Sequence, residues 1–199
     1  AIMELQRAID AYPQFAQAYV DLGFIYQQQS QFLKADQSFH LALKVYPKFL
    51  EARMALAAFH DQQQHAQKAL QAHQAVLELE PHRLDSLYGM AFWLLHEQKL
   101  EEAQRYVDQL VSLHPTYLNG WLIAGSLAQQ SKHVDKAIQA YQRAVSLNSH
   151  LVDPYFNLGV LYRQKEAYQE AAQAFERVTK LEKNNSEAHA NLGVGYAAL

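Results

Sequence analysis

Four of the five prolines in this chain fall one every 34 residues, at Pro13, Pro47, Pro81 and Pro115. Continuing the step reaches Ser149 and Lys183, where the proline has been lost. A fixed period of this size means stacked supersecondary units, because each unit is too small to bury its own apolar face and must lean on its neighbours. Other columns keep the same step. Ala1, Ala35, Ala69, Ala103, Ala137 and Ala171 are all alanine. Gly23, Ala57, Ala91, Gly125, Gly159 and Gly193 are all Gly or Ala, and Leu22, Leu56, Met90, Ala124, Leu158 and Leu192 are all apolar. A bulky column runs through Tyr19, Leu87, Trp121 and Tyr155, broken by Arg53 and His189.

Within one period, apolar residues recur three and four apart, as in Tyr19, Leu22, Gly23 and Tyr26, which is one face of an α-helix. A second helix follows, as in Ala35, Phe39 and Ala42, after a polar turn around Gln29-Ser30-Gln31. The small-residue columns let the two helices of a hairpin approach closely. Proline then stops the second helix, since it lacks an N–H and clashes with the preceding turn. Asp153-Pro154 reads as an N-cap followed by proline at the first helical position.

These columns resemble the tetratricopeptide repeat family. Residues 16–49 match every signature column, with Tyr19, Leu22, Gly23, Tyr26, Ala35, Phe39, Ala42 and Pro47. Residues 152–185 follow closely, with Tyr155, Leu158, Gly159, Tyr162, Ala171 and Phe175, and the copies at 50–83 and 84–117 are looser. The expected fold is all-α: an α-α superhelix, or solenoid, of antiparallel helix hairpins with a 34-residue period. It forms one array over 1–199, with full repeats at 16–49, 50–83, 84–117, 118–151 and 152–185. A second helix at 1–15 and a first helix at 186–199 belong to incomplete repeats, so the array reads as part of a longer chain.

Composition narrows the function classes. A net charge of −3 gives no basic field for nucleic acid or anionic membranes. No apolar run approaches the roughly 20 residues needed to span a bilayer. The absence of cysteine removes disulfides, a thiol nucleophile and Cys-based zinc sites. A cytoplasmic location is expected, with the periplasm as the alternative.

No residue pattern here points to catalysis or to a cofactor. The glycines sit singly inside helical patterns, so no phosphate-cradling loop exists. None of the 10 histidines is spaced i, i+4 with another, the usual one-helix metal pair. His60 and His73 occupy columns that are aromatic in the better-matching copies, and both are expected to face the seam between the helices of 50–83. They form either a pH-sensitive or metal-binding pair, or polar core substitutions satisfied by hydrogen bonds. The second reading is favoured, because zinc takes further ligands that are missing here.

The resemblance implies that the first helices of successive repeats line a concave groove. The columns that would face it are apolar and partly aromatic. One contains Val20, Met54, Tyr88, Leu122 and Phe156, and another Phe24, Phe92 and Val160. Asn157 and the one main cation, Arg163, stand beside them. The expected partner is a protein or peptide with apolar anchors, and Tyr88, Phe92 and Phe156 are the leading contacts, since aromatic residues dominate binding hot spots. The competing reading is that these side chains pack only against the neighbouring repeat. Some family members grip acidic chaperone tails with cations and asparagines on successive first helices. The matching positions here hold Val20, Phe24 and Ala55, or Leu122, Ser126 and Asn157, so that clamp is missing. The asparagine ladder of sugar-transferase-associated repeats is reduced to Asn157 and Asn191. The scaffold reading competes with a non-catalytic recruiting arm of a larger enzyme, such as a glycosyltransferase. It also competes with a structural subunit associating head to tail through its open ends.

Overall fold

The computed structural model describes residues 1–197, and these form twelve α-helices and no strand. The chain is an all-α stack of antiparallel helical hairpins, and it divides into two compact units meeting between Glu97 and Gln98. The first unit holds α1 (Ile2–Ala11), α2 (Ala16–Gln28), α3 (Phe32–Val45), α4 (Leu50–Gln62), α5 (Ala66–Leu77) and α6 (Leu84–His96). The second holds α7 (Leu100–Leu113), α8 (Leu118–Gln130), α9 (Val134–Leu147), α10 (Val152–Gln164), α11 (Tyr168–Leu181) and α12 (Ser186–Ala197).

In the first unit, Phe39 of α3 is fully buried among Val20, Ala35 and Ala42, with Ala55, Leu56 and Phe59 of α4 closing over it. In the second, Phe175 of α11 is the counterpart, buried with Ala171, Val178 and Ala188. Each such ring contributes roughly 1.5–3 kcal/mol by leaving water. The Gly column makes room for them. A Cβ on Gly23 would stand 2.4 Å from the Phe39 ring, one on Gly125 2.5 Å from Tyr141, and one on Gly159 2.7 Å from Phe175. These glycines therefore serve close helix approach inside a hairpin. Gly193 of the same column has open space at that point.

The turn inside each hairpin carries its own period. Ser30, Gln64, Gln98, Lys132 and Glu166 all have φ between 55° and 60°, and none is glycine. Around Ser30, the Gln31 N–H reaches back to Tyr26 O at 2.8 Å, and His65 to His60 O, His133 to Ala128 O and Ala167 to Tyr162 O repeat the bond. This is the six-to-one Schellman closure, which satisfies carbonyls the helix end would leave unpaired.

Two local expectations change. Helices α1, α3 and α7 stop two residues before Pro13, Pro47 and Pro115. However, α9 and α11 stop at the same register, at Leu147 and Leu181, before the non-proline Ser149 and Lys183. The proline reinforces a stop that the following turn already makes. The N-cap of α10 is Leu151, not Asp153, and Pro154 occupies the third helical position. Proline costs nothing there, because the first four N–H groups of a helix have no intrahelical acceptor.

Arg53 and His189, which interrupt the bulky column, share a contact with Trp121, which belongs to it. Arg53 Nη2 donates to Pro47 O at 3.0 Å, Trp121 Nε1 to Pro115 O at 2.9 Å, and His189 Nε2 lies 2.9 Å from Lys183 O. Three different side chains thus serve the carbonyl six residues back.

Candidate functional site

In the first unit the expected groove residues separate. Val20 is fully buried in the Phe39 core, so the reading that places it in a binding groove is corrected: α4 packs Ala55 and Leu56 into that same core. Phe24, one turn later, is 41% exposed and sets its ring edge-on to Phe39 with centroids 5.3 Å apart. Met54 and Tyr88 are half-buried, and Phe92 is 41% exposed. Between these first helices, Gln17 Nε2 donates to Glu51 Oε1 at 2.9 Å, tying α2 to α4.

Tyr88 and Phe92 stand one turn apart on α6, and their rings stack with centroids 6.2 Å apart. The Trp93 ring meets Phe92 edge-on at 5.1 Å, and His96 lies 6.4 Å from Phe92. These rings line a cleft of ≈520 Å³ that also takes in Asp61, Gln64, Gly89 and Glu97. A smaller hollow of ≈290 Å³ reaches Asp61 and Tyr88 too, and adds Met54, Ala58 and Asp85.

Asp61, at the end of α4, is the polar centre of the cleft. Trp93 Nε1 donates to its Oδ1 at 2.6 Å, and His73 Nε2 lies 3.1 Å from both carboxylate oxygens. His73 Nδ1 faces Ser86 Oγ at 3.3 Å. A carboxylate only accepts, so Nε2 of His73 donates to it, and Nδ1 shares a hydrogen bond with the serine hydroxyl. Burial pushes the Asp61 carboxyl up, but the hydrogen bonds from His73 and Trp93 outweigh it and hold it below the ordinary 3.8.

Serine, histidine and aspartate in this order have the composition of a nucleophilic triad. A nucleophile must also reach substrate and face donors that stabilise the oxyanion. Ser86 is 2% exposed, and its hydroxyl is turned inward to His73. The relay fixes the ring and, through it, Asp61.

Of His60 and His73, both expected to face the seam between the helices of 50–83, His73 bridges that seam to Asp61, and His60 is the one that turns elsewhere. His60 Nε2 lies 3.4 Å from Asp36 on α3 of the preceding hairpin, whereas His73 turns to Asp61 and to Ser86 of the following one. His73 is satisfied on both nitrogens, while His60 Nδ1 and Asp36 Oδ1 are buried without a hydrogen-bond partner. Burial pushes the His60 pKa below 6.5 despite the neighbouring Asp36. Among the described residues no three His, Cys, Asp or Glu side chains stand together as a metal site, and no helix is long and apolar enough to cross a membrane.

In the second unit, Leu122 and Asn157 line a hollow of ≈440 Å³ with Ser126, Tyr141 and Glu182. Tyr141 donates its hydroxyl to Gln129 Oε1 at 3.1 Å, and burial pushes its pKa up to about 12 while a hydrogen bond with Asn157 works to lower it. Phe156 and Val160 pack partly against the Phe175 core, with the Phe156 ring edge-on to Phe175 at 5.5 Å. The exposed Arg163 binds the Asn191 side chain.

Sequence reasoning missed Asp61, Ser86 and Trp93. A signal existed in the columns. His73 replaces Phe39, Val107, Tyr141 and Phe175, and Ser86 replaces a run of Ala, Gly and Pro at 18, 52, 120, 154 and 188. Two polar exceptions in adjacent repeats pointed to a contact between them.

Family models described as tetratricopeptide repeat match residues 16–49 and 152–185, and one described as TPR repeat matches 130–165. No curated protein sequence gives a significant match. Among solved structures, the chain is similar to YrrB, a TPR protein with an unusual peptide-binding site, at 17% identity with a TM-score of 0.82, covering 96% of this chain and 98% of that one. It is similar to MamA at 19% identity with a TM-score of 0.79, covering 86% and 94%. It is also similar to Pseudomonas aeruginosa pilF at 17% identity with a TM-score of 0.70, covering 90% and 88%. At these identities the likeness is one of fold.

Proposed function

Because the chain belongs to the tetratricopeptide repeat family, we propose that it is a protein-interaction scaffold that holds a peptide or partner helix by apolar anchors. One observation carries the reading: Tyr88 and Phe92 present stacked rings, one of them 41% exposed, over an open cleft of ≈520 Å³. Aromatic side chains of this kind lose little entropy on binding and bury large areas. Each apolar anchor seated there contributes roughly 1.5–3 kcal/mol before the cost of association. The peptide-binding description of YrrB, a protein of like fold, supports the same class of partner.

Selection of displayed random peptides on the purified chain tests this. Binding clones should emerge, and Tyr88→Ala with Phe92→Ala should weaken them at least tenfold. A selection that yields no binder, or binders indifferent to the double change, overturns the reading.

A further inference from the structure

Resting on that scaffold reading, we infer that the cleft of α6 takes a cationic side chain, an arginine or lysine on a peptide segment of the partner protein. The walls supply the first argument. Tyr88, Phe92 and Trp93 line the cleft with aromatic rings, and Phe92 is 41% exposed. An aromatic face carries negative quadrupole charge and attracts a cation set over it.

The second argument is the carboxylate. Asp61 keeps 39% of its side chain open, and its position is fixed by Trp93 and His73. Both side chains donate to the carboxylate and hold it at the mouth of the cleft. No Lys or Arg lines the cleft, and Glu97, which accepts from Gln67 at 3.2 Å, adds a second carboxylate. Oδ2 of Asp61, which His73 reaches, retains a further acceptor site.

These features discriminate among ligands. An acidic segment would meet like charge. A purely apolar anchor would take the open 39% of the Asp61 side chain out of water and give it no further donor, which is costly. A cation satisfies the rings and the carboxylate together. Arginine fits best, since its planar guanidinium stacks on a ring while its edge donates to a carboxylate. Its aliphatic stem covers the apolar rim that the scaffold reading uses.

The chain has two tryptophans, and this makes the test local. Trp93 touches Asp61, whereas Trp121 donates to Pro115 O in the other unit. The indole N–H resonances of the full chain should be followed while N-acetyl-arginine amide is added, then its neutral isostere N-acetyl-citrulline amide. The expected result is a saturable shift of the Trp93 signal with arginine, little with citrulline, and no movement of Trp121. Added salt should weaken the response. Phe92→Ala, at an exposed position that leaves the fold intact, should weaken it about tenfold. No shift, an equal response to citrulline, or a response untouched by Phe92→Ala overturns the inference. If displayed peptides still bind through Tyr88 and Phe92 while arginine gives nothing, the inference falls and the scaffold reading stands. If no peptide can be selected, the scaffold reading falls whatever arginine does.

Discussion

A Cβ on Gly89 would stand 2.1 Å from Nε2 of His73, the atom that holds Asp61. In three other hairpins the ring in this column drops onto a glycine of its own repeat, as Phe39 does onto Gly23, Tyr141 onto Gly125 and Phe175 onto Gly159. Here the partner position in the repeat is Ala57, and the imidazole turns instead onto α6 of the next hairpin. Gly89 is thus the small residue that admits the relay.

Gly89→Ala should therefore push His73 off Asp61 and Ser86 and destabilise the chain by roughly 2–4 kcal/mol, the sum of overpacking and lost buried hydrogen bonds. The same change at Gly193, where a Cβ meets nothing within 4 Å, should stabilise α12 by roughly 0.5–1 kcal/mol through helix propensity alone. Urea titrations of the two variants check the opposite signs.

The hairpin turns offer a second comparison. Ser30 and Lys132 sit at φ 58° and 59°, where a Cβ is crowded and glycine is not. Ser30→Gly and Lys132→Gly should each raise stability by roughly 0.5–1 kcal/mol. Gln29→Gly, at φ −85°, relieves no strain and should lower it. Melting temperatures of the three variants separate the two positions.

What the sequence made legible was whatever repeats. The 34-residue step carries the hairpins, the small-residue columns and the turn position, because each is a local requirement met again in every copy. Exposure does not repeat in this way. Val20 and Phe156 share a column, yet one is fully buried and the other half-open, since α4 presses Ala55 and Leu56 around Val20. The cleft of α6 was half legible for the same reason. Tyr88 and Phe92 announce themselves by residue type, whereas Ser86 and Trp93 join Asp61 and His73 only across hairpins, in contacts found in one place among the described residues.

Acid should destabilise the protein in two steps. The pKa of His60 is depressed below 6.5 by burial, so above 6.5 it is neutral folded and unfolded, and its contribution is complete. As pH falls from about 6.5 through the lower folded value, the unfolded chain takes up the proton first and stability is lost. Asp61 is depressed below 3.8, so its contribution is present above that value and is lost as pH falls through the folded one. His60→Phe, which restores an aromatic like Tyr26 and Tyr162 in that column, should remove the first step and leave the second. Thermal melts across the acid range read both, and a first step unchanged in His60→Phe would show that His60 does not carry it.

Arg53 supplies a test of whether unlike side chains do one job. Its Nε and Nη2 donate to Pro47 O at 3.2 and 3.0 Å, its Nη1 to Ala75 O at 2.9 Å, and it lies 3.7 Å from Glu78. Trp121, two periods on, serves the matching carbonyl of Pro115 with its single N–H. Arg53→Leu keeps the bulk and removes every donor, so it should cost roughly 1–3 kcal/mol. Arg53→Trp keeps bulk and restores a donor to Pro47 O while losing Ala75 O, so it should cost about half as much. If the column asked only for an apolar body, leucine would be as good as tryptophan or better. Denaturation midpoints that rank leucine below tryptophan assign the column to a carbonyl contact, and equal midpoints would return it to simple packing.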